Sequence, residues 1–171
     1  SNNTSIRALR CHSNDITALN LGDNYSLTFL NCSSNDLREL DISECTFLET
    51  LYCMSNKLAK LDISNNIMLK TLYCDNNLLT ALDISSNRLL ENLRCTNNPL
   101  RELDTTYNFR LENLRADESV RIFKDEAILK TLIVINEKNF PDSLFREYVM
   151  TYLDLDEDLV LDSRDINAAR V

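Results

Sequence analysis

Apolar residues return along this chain on one fixed beat. Leu9, Leu30, Leu51, Leu72, Leu93 and Leu114 stand 21 residues apart. Cys11, Cys32, Cys53, Cys74 and Cys95 keep the same interval, and Ala116 takes the sixth place. Asn14, Asn35, Asn56, Asn77 and Asn98 repeat it, as do Leu19, Leu40, Leu61, Leu82 and Leu103. Several independent columns agreeing on one period is the signature of a repeat architecture.

One unit, residues 48–68, reads LETLYCMSNKLAKLDISNNIM, with apolar positions at Leu48, Leu51, Cys53, Leu58, Leu61 and Ile63. The Leu51-Tyr52-Cys53 alternation predicts a short strand with Leu and Cys inward. Parallel strands are therefore expected around residues 9–11, 30–32, 51–53, 72–74, 93–95 and 114–116. The Leu61-Asp62-Ile63 alternation predicts a second extended stretch on the opposite side. Neither stretch can bury its apolar side alone, so stacking of turns must stabilise both. Stacking puts identical residues at about the 4.8 Å inter-strand spacing. The asparagine column then becomes a ladder that satisfies buried backbone groups inside the turn.

The pattern LxxLxCxxNxLxxLDxSxNxxL resembles the 21-residue class of bacterial leucine-rich repeats, with cysteine where leucine is commoner. The resemblance covers residues 6–116. It implies a right-handed leucine-rich-repeat solenoid with few helices, whose short parallel strands line the face that usually meets a ligand. The domain reading is an array over residues 1–116, of about five and a half repeats, a transition over 117–135 and a separate module over 136–171.

Composition adds one oddity. The 171 residues include one glycine, Gly22, and two prolines, Pro99 and Pro141. Asparagine is abundant instead, and it is the residue after glycine best suited to left-handed turns. The net charge is -9, and an acidic chain without a basic patch is a poor partner for nucleic acid or an anionic membrane. No apolar run reaches the ~18 residues of a membrane span, so no membrane insertion is expected. No signal peptide is visible in a sequence that starts inside a repeat.

The six cysteines allow three readings. Metal binding fails on spacing, because there is no C-x-x-C pair and stacked positions do not point at a common centre. Disulfides along the ladder are disfavoured, since in-register side chains point the same way at ~4.8 Å, wider than preferred Cβ separations. Buried free thiols acting as small hydrophobes fit best. Cys45 lies outside the ladder.

Register identifies the outward strand positions. The column before the ladder cysteine is Arg10, Asn31, Tyr52, Tyr73, Arg94 and Arg115; the one after it is His12, Ser33, Met54, Asp75, Thr96 and Asp117. A third holds Ala8, Phe29, Thr50, Thr71, Asn92 and Asn113. The centre of the face is thus Phe29, Tyr52, Met54 and Tyr73, flanked by Arg94 and Arg115. Tyr and Arg are enriched at binding hot spots, although aromatic side chains also suit exposed strands for their own stacking. Asp41, Asp62, Asp83 and Asp104 form a further ladder. These carboxylates could bind cations, but closing their own turns onto neighbouring Ser or Thr is the simpler expectation.

The period ends after Leu114. Residues 117–131 are polar with scattered apolar positions, suggesting a short helix. Leu132-Ile133-Val134-Ile135 predicts a strand. Asn139-Phe140-Pro141-Asp142 opens a helix by the usual start signals, and Leu144, Phe145, Tyr148, Val149, Tyr152 and Leu153 share one helical face. The acidic run over 154–165 is similar to an EF-hand loop, with Asp154, Asp156 and Asp158 at its first, third and fifth places. It lacks the glycine of the sixth place (Leu159) and ends on Asp165 rather than Glu. Were calcium to bind, Asp154, Asp156, Asp158 and the Val160 carbonyl would hold it, with Asp165 the weakest ligand. The two departures favour a loop held by helix packing, without tight calcium and with no other cofactor. The phrase NFPDSLFREYVMTYLDLDEDLVLDSRDI also resembles a module of surface leucine-rich-repeat proteins of gut Firmicutes, of the type NFPDxxFRxYVxxxxDxDxDGxLSxxEI. In that family it caps the start of an array. Its place at the end here suggests a piece of a longer protein, and the resemblance implies an extracellular or cell-surface location.

Enzymatic chemistry finds no support. The single histidine, His12, has no nucleophile placed beside it, and there is no phosphate-cradling glycine loop or metal triad. The leading expectation is a module that binds a protein ligand. A glycan-binding module, with Tyr52 and Tyr73 stacking on sugar, and a passive spacer or assembly scaffold remain open. Ile6, Leu9 and Cys11 would leave an apolar N-terminal edge through which chains could self-associate.

Overall fold

A computed structural model describes residues 5–22 and 24–124, and the backbone of residues 133–134 and 160–161. The chain divides into two compact units, Ser1–Phe123 and Lys124–Val171.

The first unit is a parallel-strand solenoid. Strands β1 (Ala8–Arg10), β2 (Phe29–Asn31), β3 (Thr50–Tyr52), β4 (Thr71–Tyr73), β5 (Asn92–Arg94) and β7 (Asn113–Arg115) form one six-stranded sheet in that order. The pairing follows the repeat: Leu30 lies beside Leu51, Leu51 beside Leu72, and Leu72 beside Leu93. The strands sit one residue earlier than the alternation predicts. Each ladder cysteine falls just past its strand, although it still points inward.

The core is one continuous stack. Leu30, Leu51, Leu72 and Leu93 are fully buried, as are Cys32, Cys53, Cys74 and Cys95. Leu58, Ile63 and Leu69 close the same turn from the other side. At the first turn Ile6, Leu9 and Cys11 are only partly buried against this core.

The opposite side behaves differently. Leu61 and Ile63 point inward as expected, yet their segment is not a strand. Among the described residues, strand pairing on this side occurs only at the end, where β6 (Glu102–Asp104) pairs in parallel with β8 (Arg121–Phe123). Leu103 there lies beside Ile122, 19 residues on rather than 21. The short helix suggested for 117–131 is therefore corrected over Arg121–Phe123. Val120 is buried and the ladder offers hydrogen bonds that weak helical propensity does not outweigh.

In the second unit, Ile133–Val134 (β9) pairs antiparallel with Val160–Leu161 (β10), so the strand predicted at 132–135 is present. There is no helix among the described residues. The helix-loop-helix expected over 136–171 lies otherwise outside them, with Asp154, Asp156, Asp158 and Asp165.

Candidate interaction face

The turn after each strand is built on asparagine. Asn56 donates Nδ2 to the Cys32 and Cys53 carbonyls at 3.1 Å each, and its Oδ1 accepts the Leu37 N–H at 3.0 Å. Asn35, Asn77 and Asn98 repeat the arrangement. The left-handed bend just before this asparagine falls on Ser13, Ser34, Ser55, Asn76 and Asn97, with φ of 54–57°. Serine fills three of the five places where asparagine would be the expected substitute for glycine. A second line of buried amides runs through the turn before the strands: Asn24, Asn66, Asn87 and Asn108, with Cys45 in the same column. Cys45 is thus a replacement within an asparagine ladder.

Free thiols line the core. Each buried ladder thiol donates to a carbonyl of the next turn: Cys32 to Tyr52 and Cys53 to Tyr73 at 3.6 Å, Cys74 to Arg94 at 3.3 Å, and Cys95 to Arg115 at 3.6 Å. Burial pushes the Cys32 and Cys95 thiols up to about 12, and drives Cys53 and Cys74 well above the ordinary thiol value. Burial likewise raises Cys45 to about 11, with Asp41 and Glu44 adding to the effect. These are inert protonated groups rather than nucleophiles.

The outward columns form a single stack of rings. Tyr52 and Tyr73 lie parallel with centroids 4.9 Å apart. Phe29, from the neighbouring column, meets Tyr52 edge-on at 5.6 Å. Guanidinium groups close both ends, Arg10 over Phe29 at 4.5 Å and Arg94 over Tyr73 at 5.1 Å. Stacked and edge-to-face rings add modestly to sheet stability, as do cation–π pairs. Sequence reading picked out Phe29, Tyr52, Tyr73, Arg94 and Arg115 but did not include Arg10 in the site. Its place in the Arg10–Arg115 column was the available signal.

The column after the cysteine needs correction. Met54 is half-buried and His12 exposed, but Ser33 and Asp75 are buried. The same left-handed bend follows every member of the column from His12 to Thr96, so the difference lies in the side chains: the small Ser33 lies close to the sheet, and Asp75 is held in by its bonds to the next turn. The Asp75 Oδ1 accepts the Thr96 N–H at 3.2 Å and its Oγ1–H at 2.6 Å. Its Oδ2 lies 3.2 Å from Arg94 Nε.

On the opposite side the aspartate ladder is closed on itself. Asp41 accepts the Ser43 hydroxyl at 2.7 Å and its N–H at 3.0 Å; Asp62 does the same with Ser64. The Ser43 and Ser64 bonds hold both carboxyls below their ordinary range. A groove of about 800 Å³ runs past Leu19, Leu40, Cys45 and Asp62, and one of about 500 Å³ follows between Lys60 and Asp83. Both hollows lie away from the strand face. Among the described residues, no group of three or more His, Cys, Asp or Glu could hold a metal ion.

No protein-family model matches the chain, and no curated protein matches it. Among solved structures it is similar to the functional domain of InlJ from Listeria monocytogenes, described as including a cysteine ladder: 31% identity over 72% of this chain and 32% of that one, TM-score 0.57. It is similar to an internalin, InlF, of the same species: 26% identity over 67% of this chain and 35% of that one, TM-score 0.58. A leucine-rich-repeat protein of Leptospira interrogans shares the fold at 24% identity, over 81% of this chain and 36% of that one, TM-score 0.65. The chain spans about a third of the length of each. Its fold is that of these leucine-rich-repeat proteins, a parallel β-solenoid with a line of cysteines in its core.

Proposed function

We propose that this chain is a non-enzymatic module that binds a protein partner through its strand face, in the setting of a bacterial cell surface. Tyr52 and Tyr73 form the centre, with Phe29, Met54, Arg94 and Arg115 around them. The observation that carries this reading is the ring stack running from Arg10 to Arg94 across consecutive turns. It is a rigid, partly exposed surface of the residue types that dominate protein interfaces. Rigidity lowers the entropy lost on association.

The same stack weighs against a glycan. Sugar rings lie on open aromatic faces, and here Tyr52 and Tyr73 cover each other while Arg94 covers the far side of the pair. The grooves on the opposite side are the weaker alternative. Asp41 and Asp62, which line them, already have their hydrogen bonds made within the turn.

The test is a screen of the chain against protein and glycan panels, repeated with Tyr52→Ala, Tyr73→Ala and Asp62→Ala. Loss of a hot-spot tyrosine is expected to cost about 2 kcal/mol or more, roughly thirtyfold in affinity. Asp62→Ala is expected to leave binding unchanged. Binding lost with Asp62 and retained without either tyrosine would refute the assignment.

A further inference from the structure

We infer that the partner presents an acidic segment to this face, and that Arg94 is the residue that selects it, held in place by Asp75. This rests on the strand-face reading above and names the chemistry it would recognise.

Charge distribution is the first support. The chain carries a net charge of -9, yet its two central outward columns hold Arg10, Arg94 and Arg115 and no acidic residue. Glu91 and Glu112 flank the strip at its Asn92 and Asn113 edge, and the other carboxylates beside it are engaged elsewhere. Asp75 is buried, Asp117 accepts the Asn97 N–H at 2.8 Å, and Glu49 pairs with Lys70 at 3.3 Å. The face is thus a positive strip on a negative molecule, and a matching surface is negative. A long polyanion such as DNA would meet repulsion from the remainder of the chain.

The setting of Arg94 is the second support. Its guanidinium lies over Tyr73, and its Nε is shut off from solvent beside the Asp75 carboxylate, which is 2% exposed. Asp75 is itself tied to the next turn through Thr96. Tyr73 therefore sets the plane of the guanidinium, and the Asp75 carboxylate holds its Nε edge by charge at 3.2 Å, without an aligned hydrogen bond. The donors left are the terminal amino groups, a planar fork that matches a carboxylate bidentately. Asp75 offsets the charge of Arg94, so the long-range attraction comes from Arg10 and Arg115. Arg94 supplies direction. Asp75 is a positioning residue, and its carboxylate needs no contact with the partner.

The experiment is selection of a displayed random-peptide library on the wild-type chain and on R94K, followed by affinity measurements on the recovered peptides. Wild-type selection is expected to enrich Asp or Glu at one fixed place beside an apolar residue, and R94K selection is expected to lose that enrichment. A recovered peptide should weaken about tenfold on Glu→Gln replacement, and similarly on R94K, which keeps the charge and removes the fork. R115K should change affinity less than threefold, because that arginine acts through charge alone. D75N should weaken binding when measured at high salt, where its added positive charge is screened. Peptides without acidic enrichment, no recovered peptides, or equal losses for R94K and R115K would overturn the proposal. Tighter binding of sialyllactose, a carboxylate-bearing glycan, than of any peptide would overturn it too. The Y52A variant separates the two readings. Non-acidic peptides lost on Y52A leave the face as the binding surface and remove only the acidic partner. Peptides indifferent to both Y52A and R94K remove both.

Discussion

The coil bends at two asparagine turns per repeat, and they are built to different standards. After the first five strands the column is asparagine throughout, giving way to Ser119 only where the period ends, and each amide from Asn35 to Asn98 uses both ends: Nδ2 donates to two turns and Oδ1 takes an N–H from the turn before. Before the strands, Asn66 donates to the Ile42 and Cys45 carbonyls, and Asn87 and Asn108 do likewise. Their Oδ1 atoms, however, are buried without a partner. In that second column one member is Cys45. Inside the array, an amide with both ends used has no small residue that replaces all its bonds. One with only its donors used can give way to a group that merely fills the space, because the orphaned oxygen it removes was itself a cost.

The widest test of this interior is alkaline pH. Cys32 and Cys95 are raised to about 12 and Cys45 to about 11, against an ordinary value of ~8.5 in an unfolded chain. Because the folded value is the higher one, the protonated thiols contribute stability that is fully present below the unfolded value. It is lost as pH rises from there toward the folded values. Urea unfolding at rising pH should show a steep fall above about pH 9, reduced in step as Cys45 and then Cys53 are replaced by Ala in a matched background. A flat profile would mean that the thiols are not protonated and buried as described. On the same assay Leu72→Ala should cost about 2–5 kcal/mol as a fully buried truncation.

The two turns should then separate in a pair of matched substitutions. Asn56→Cys takes one of two amide donors from each of the Cys32 and Cys53 carbonyls, which keep Asn35 and Asn77, and strips the buried Leu37 N–H of its acceptor. It is expected to cost about 2–3 kcal/mol. Asn87→Cys removes two donated bonds but also one orphaned oxygen, and is expected to cost about 1 kcal/mol. Equal costs measured by denaturant unfolding would erase the distinction between the turns.

Much of this was legible because a repeat multiplies each signal. The Leu, Cys and first Asn columns were fixed by identity in successive turns. Free buried thiols follow from the in-register geometry, and the Asp41–Ser43 closure follows from two residues two apart. The second ladder was harder to read, because Cys45 interrupts it and makes one column look like two unrelated facts. Strand residues beyond the periodic part, such as Arg121–Phe123, were missed because the last turn closes over 19 residues. The alternation gave Tyr52 and Tyr73 a common face. It could not give the tilt of their rings or the inward swing of Asp75, which depend on contacts with the next turn, for Asp75 those to Thr96 and Arg94.

The smallest effect sharpens the first turn alone. Ser55 sits at φ 54° and Asn76 at φ 56°, one serine and one asparagine at the same bend. A serine there bears the steric cost of the left-handed region, ~1–2 kcal/mol, which glycine avoids. Glycine also raises the entropy of the unfolded chain by ~0.5–1 kcal/mol. Ser55→Gly should therefore stabilise by a few tenths to about 1 kcal/mol. Asn76→Gly starts from a residue that tolerates the bend, and it also removes the bond from Asn97 Nδ2 to Asn76 Oδ1 at 2.9 Å. It should be neutral or slightly destabilising. The pair can be ranked by thermal unfolding at one protein concentration. If Ser55→Gly lowers the midpoint while Asn76→Gly does not, the serine column is holding the turn through its hydroxyl, and the backbone account of this bend fails.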